Sequence, residues 1–77
     1  MARPMTVTAI WDDEANVWVA SSEDVYGLNV EAETLEQLSV RVAGAVQDLL
    51  EINGPRPTGP VPVTIHADKT IQVTVAA

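Results

Sequence analysis

The chain contains no cysteine. A disulfide framework, a thiolate metal site and a cysteine nucleophile are therefore excluded together, which suits a reducing cytoplasm. Histidine is nearly absent too. The single imidazole, His66, leaves zinc without thiolates or a second nitrogen ligand. A Ser-His-Asp arrangement would have to be built on that one residue, which falls in an expected strand, and no nucleophile-elbow sequence is present. The four glycines, Gly27, Gly44, Gly54 and Gly59, are too scattered for a phosphate-cradling loop. Long apolar runs are also missing. Met1-Ala2-Arg3-Pro4 lacks the apolar stretch of a signal peptide, and no later run approaches the length of a membrane span.

Positive charge is scarce, with four basic residues against eleven acidic ones and a formal net charge of -7. Such a field repels phosphate backbones and anionic membranes, so neither direct nucleic-acid binding nor membrane contact is expected. It would attract a basic protein partner and speed the encounter. The plainer reading of the same acids, a solvated and solubilising surface, stands beside it.

What is present describes a small globular protein. At 77 residues, with 47% apolar and 19% charged, the composition is that of one folded domain, 1–77, lying outside the disordered class. The length is near the lower end of what a lone core stabilises, so homo-oligomerisation is expected.

Residues 5–11 are β-branched and aromatic, with no glycine or interior proline, and predict a strand. The polar stretch Asp12 to Asn16 predicts a hairpin loop in which Asn16 takes a left-handed conformation. Residues 17–21 return as a second strand and 28–32 form a third, giving an antiparallel meander. Thr34 is an N-cap with Gln37 completing a capping box, and Glu33 and Glu36 suit the positive end of the helix dipole. Leu35, Leu38, Val42, Ala45, Val46 and Leu49 recur at helical spacing and place one apolar stripe against a sheet. Asn53-Gly54 and the prolines after it stop the helix. The Pro- and Gly-rich residues 54–60 then form a stiff crossover. Residues 61–66 and 70–75 are both strand-like, and a second hairpin is the simplest arrangement.

Strand parity puts Val7, Ala9 and Trp11 on one face of the first strand, and Val17 and Val19 opposite Trp18 and Ala20 in the second. Both faces carry some apolar surface, and one helix covers only one of them. The uncovered face is thus a candidate for self-association, with Trp11 or Trp18 as its anchor, against the plainer reading that a strand-end tryptophan packs in the core. Among the carboxylates, Asp12-Asp13-Glu14 does not match the alternating ligands of a calcium loop. No metal, cofactor or catalytic residue is assigned.

The order of elements and one local pattern resemble a known family. Asp24-Val25-Tyr26-Gly27-Leu28, followed by Glu31-Ala32-Glu33-Thr34-Leu35-Glu36-Gln37-Leu38, is similar to the turn, short strand and helix start of HicB-like antitoxins. The string W-D-x-E-A-x-V-W-V-A-S-S-x-D-V-x-G-L resembles more closely a group of short bacterial proteins of unknown function in the same superfamily. The likeness covers roughly residues 5 to 52, and Tyr26 stands where the family often has proline.

The resemblance implies a truncated ribonuclease-H-like α+β fold: a three-stranded antiparallel meander, one helix packed on the sheet, and one or two C-terminal strands returning beside the first. It further implies an antitoxin, or a module derived from one, that binds and blocks a small basic ribonuclease toxin. Family members commonly carry a separate operator-binding motif, whereas residues 61–77 here read as strands. Ribonuclease H enzymes hold metal with acids that include one in the first strand, and residues 5–11 contain none, so a non-enzymatic role is expected. The residues expected to meet a partner are the turn from Asp24 to Leu28, with Tyr26, and the acids Asp12, Asp13, Glu14, Glu23 and Asp24, which form one acidic rim if the hairpins align. Two other readings stay open. One is a stand-alone homo-oligomeric structural or regulatory protein without a toxin, and the other is a residual hydrolase, which requires metal-dependent activity.

Overall fold

A computed structural model describes residues 4–53 and 59–76. Strands β1 (Met5–Asp12), β2 (Val17–Ser21) and β3 (Asn29–Ala32) form the meander, helix α1 (Leu35–Asn53) follows, and β4 (Val63–Asp68) returns to the sheet. The sheet order is β3-β2-β1-β4, antiparallel within the meander and parallel between β1 and β4. This is the α+β arrangement expected from the resemblance, with the last strand beside the first.

Local chemistry sets most of the boundaries. Asp12 closes the first hairpin, its carboxylate Oδ1 accepting from the backbone N–H groups of Glu14 at 3.0 Å and Ala15 at 3.3 Å. Asn16 takes φ 56°, the left-handed conformation that asparagine tolerates better than most residues. Thr34 caps the helix, its Oγ1 accepting from the Gln37 N–H at 3.1 Å while its carbonyl accepts the first helical bond from Leu38 at 2.9 Å. Gly54 to Thr58 of the expected crossover lie outside the described residues. Pro62 precedes β4 rather than lying inside it, and its carbonyl accepts from the Met5 N–H at 3.0 Å.

The core lies between the helix and one face of the sheet. Leu38, Val42 and Val46 point down from α1 onto Val7 and Ala9 of β1, Ala20 of β2 and Ala32 of β3, all buried. The alanines matter because three short side chains across the meander let the helix approach closely. Val25 and Leu28, from the link between β2 and β3, close the lower end. The helix rests on β3 and, less extensively, on β2. The helix-side surface of β4 is therefore left partly open, and a cleft of about 460 Å³ lies between α1 and β4, lined in part by Val42, Val46, Leu50, Val63 and Ile65.

The second hairpin does not form. Residues 69–76 make no strand and every one of them is exposed. Their sequence has strand propensity, but propensity becomes structure only where a neighbouring edge supplies hydrogen bonds. The outer edge of β4 is the one such neighbour, and the link through Lys69 does not turn the chain back along it. Lys69 instead places its Nζ 4.1 Å from the centre of the Trp11 ring.

Candidate protein-binding surface

The sheet has a helix side and an open side, and register assigns each residue to one of them. Ala9 pairs with Ala20, Ala20 with Val30, and Val7 with Ile65, so these residues share the covered side. Residues of the other parity form the open side: Thr6, Thr8, Ile10 and Asp12 of β1, Val17, Val19 and Ser21 of β2, Asn29 and Glu31 of β3, and Thr64, His66 and Asp68 of β4. The surface is mostly hydroxyl and carboxylate around a small apolar centre of Ile10, 57% exposed, and the half-buried Val19 across from it. Its strands contribute Asp12, Glu31 and Asp68 and no lysine or arginine. The two cations among the described residues are engaged elsewhere. Arg41 donates from Nη1 to the Glu31 carbonyl at 2.5 Å, and Lys69 sits on Trp11.

The acids singled out by sequence do not form one rim. Consecutive turns of an up-and-down meander lie at opposite ends of the sheet, so Asp12, Asp13 and Glu14 are at one end and Glu23 and Asp24 at the other. The paired stretch from Thr8↔Ser21 to Asp12↔Val17 separates them by at least ~13 Å, taking ~3.3 Å per residue.

Several of these acids also have structural partners. Asp13 Oδ1 accepts from Trp11 Nε1 at 2.7 Å, and Asp12 holds its own turn. At the other end Asp24 Oδ2 accepts from the Thr6 N–H at 2.8 Å, while Ser22 Oγ donates to the Thr6 carbonyl at 2.6 Å and accepts from the Asp24 N–H at 3.0 Å. This network ties the second turn to the start of β1. Gly27 takes φ 87° there, which lets Val25 and Leu28 turn inward while Tyr26 stays 85% exposed.

Trp11 and Trp18 are not anchors of the uncovered face. They face each other across β1 and β2 with ring centroids 5.5 Å apart and planes at 65°, on the helix side of the sheet, and both are half-buried. Such an edge-to-face pair stiffens the hairpin end. Glu31 and Asp68 were missed by reading adjacent acids together. Strand parity was the signal that places them on one face, in the row Glu31, Val19, Ile10 and Asp68. No group of three or more histidines and carboxylates placed to hold a metal ion occurs among the described residues. No described helix is long and apolar enough to cross a membrane.

Comparison with known proteins adds a family without an activity. No curated protein matches the chain. A crystal structure of a hypothetical protein from the extremely thermophilic bacterium Thermus thermophilus is similar, with 44% sequence identity, a TM-score of 0.69, and coverage of 95% of this chain and 100% of that one. The model of a domain of unknown function, DUF1902, matches residues 4–77, and the chain belongs to that family.

Proposed function

We propose that this protein is a non-enzymatic binding domain, an antitoxin or antitoxin-derived module of the HicB-like type, whose open sheet face receives a small basic ribonuclease toxin in the bacterial cytoplasm. The observation that carries the reading is the chemistry of that face. Asp12, Glu31 and Asp68 project from three different strands around Ile10, Val17 and Val19, hydroxyls continue the face toward its other end, and no cation from those strands offsets their charge. A rigid sheet holds these carboxylates at fixed spacing, so a basic partner meets a preformed surface and loses little entropy in ordering it. Ile10 and Val19 give the patch an apolar centre with a polar rim, a composition common to protein interfaces. The resemblance of residues 5 to 52 to HicB-like antitoxins supplies the identity of the partner class.

The test is direct. The basic protein encoded next to this chain's gene should bind it, lose ribonuclease activity on binding, and bind more weakly as salt rises. Replacing Glu31 and Asp68 together by lysine should weaken binding by about tenfold or more, since like charges then meet across the contact, with stability changed by no more than ~0.5 kcal/mol at these exposed sites. A neighbour that neither binds nor is inhibited removes the antitoxin reading. The second reading, a homo-oligomeric structural or regulatory protein without a toxin, is favoured by a different feature, the exposed segment after Lys69.

A further inference from the structure

Residues 70–76 look like a strand that has left its sheet. Ile71, Val73 and Val75 alternate with Gln72 and Thr74, and the three apolar side chains are 68%, 72% and 84% exposed. The molecule measures 58 × 23 × 19 Å, although its 19-residue helix spans only ~28 Å at ~1.5 Å per residue. Its radius of gyration is 15.0 Å, where a compact chain of this length has ~11–12 Å. An arm of seven residues continuing away from the body accounts for that excess length. It departs at the end of β4 where Lys69 is held against Trp11.

Two further features concern β4. It is an edge strand, so one row of its backbone groups faces no neighbouring strand among the described residues. Its helix-side residues Val63 and Ile65 border the apolar cleft that α1 leaves open. The opposite edge is less suitable. β3 has four residues, and its Glu31 carbonyl already accepts from Arg41.

We propose that the arm, residues 70–76, adds as an antiparallel strand to the β4 edge of a second copy of this chain, and receives that copy's arm on its own β4 edge. Each β4 and its arm then form one long strand, and two such strands pair about a two-fold axis near Lys69, joining two four-stranded sheets into one. The contact is self-complementary, as a two-fold interface requires.

Strand parity selects the register. Directly opposed residues of antiparallel strands share a face. Val75 opposite Val63, Val73 opposite Ile65 and Ile71 opposite Ala67 put every apolar arm residue on the helix side, at the mouth of the cleft. Thr74 then faces Thr64, and Gln72 faces His66, on the polar side. A shift by one residue would expose all three apolar side chains on the polar side instead. The exchange is independent of toxin binding, because it uses the β4 edge and the helix side rather than the open face.

The absence of cysteine makes the test clean. By sedimentation equilibrium the full chain should have twice its 8.2 kDa mass, and a chain ending at Lys69 should have only its own single-chain mass. Val73→Pro, which removes a backbone donor from the middle of the arm and leaves the body untouched, should weaken dimerisation at least tenfold. Independently, Thr64→Cys with Thr74→Cys should oxidise to a covalent dimer on a non-reducing gel, while either substitution alone should not. Four results would overturn the proposal. These are a monomeric full chain, a dimer whose mass survives loss of the arm, a dimer that gives no cross-link with the cysteine pair, or a cross-link within a monomer, which would mean the arm folds back on its own β4. A monomeric full chain would assign the arm to a different protein.

Discussion

Residues 63–68 and 70–75 are two stretches of similar character, both alternating apolar with polar side chains, and the second holds more β-branched residues. Only the first is a strand. The difference lies outside both segments. Residues 63–68 run alongside β1, whose open edge takes up their backbone groups from Met5↔Val63 to Ile10↔Asp68. Residues 70–75 pass beyond the end of that edge. The comparison teaches that alternation specifies which way side chains will point once a strand exists, and that a ladder partner decides whether it exists at all.

The largest expected effect separates the packed body from the arm. Leu38 is fully buried beneath the helix, and Leu38→Ala should cost about 2–5 kcal/mol of stability in urea unfolding. Val73→Ala, measured on protein diluted until it is monomeric, should change stability by no more than ~0.5 kcal/mol, because that side chain is already 72% exposed. Equal losses would mean that the arm packs on its own body, and the contrast between the two regions would fail.

A pair of glycines sharpens the same contrast between positions that specify the fold and positions that merely occupy it. Gly27 has φ 87° in the turn that seats Val25 and Leu28 in the core, so Gly27→Ala should destabilise by about 1–2 kcal/mol through backbone strain. Steric crowding contributes little, since an added Cβ would lie 3.6 Å from Leu49 Cδ2, an ordinary contact. Gly44 sits in α1 with nothing within 4 Å of an added Cβ. Gly44→Ala should therefore stabilise the helix by about 0.5–1 kcal/mol, the opposite sign for the same chemical change. Thermal unfolding of the two variants would decide it, and a loss at Gly44 would indicate a docking partner on that face of the helix.

The elements that sequence made legible are those with local causes. Asn16 in its left-handed turn, Thr34 at the helix start and the stripe from Leu38 to Val46 each depend on residues a few positions apart. The second hairpin was not legible because pairing of 70–75 with the β4 edge depends on a reversal of the chain at Lys69, which strand propensity does not specify. The surface was legible in part. Parity already grouped Trp11 with Val7 and Ala9, and the T-shaped contact with Trp18 on the helix side follows from it. The single acidic rim failed on topology, because Asp13 and Glu23 belong to successive turns and successive turns of a meander lie at opposite ends. Glu31 and Asp68, far apart in sequence and in different strands, are brought to one face only by sheet order.

The smallest expected effect lies at the boundary between the paired and unpaired segments. Lys69 is the first residue beyond β4, and its Nζ is 4.1 Å from the centre of the Trp11 ring. An exposed contact of this kind is worth about 0.5–1 kcal/mol. Lys69→Met keeps the aliphatic stem over the ring and removes the charge, so it should cost about 0.5 kcal/mol in urea unfolding and shift the tryptophan emission slightly. The mass of the full-length protein should stay as it is, because apolar pairing along the arm and the β4 ladder, rather than this cation, hold the proposed exchange together. Dissociation on this one substitution would make Lys69 the element that aims the arm, and would move the origin of the difference between residues 63–68 and 70–75 from the missing edge to the residue that joins them.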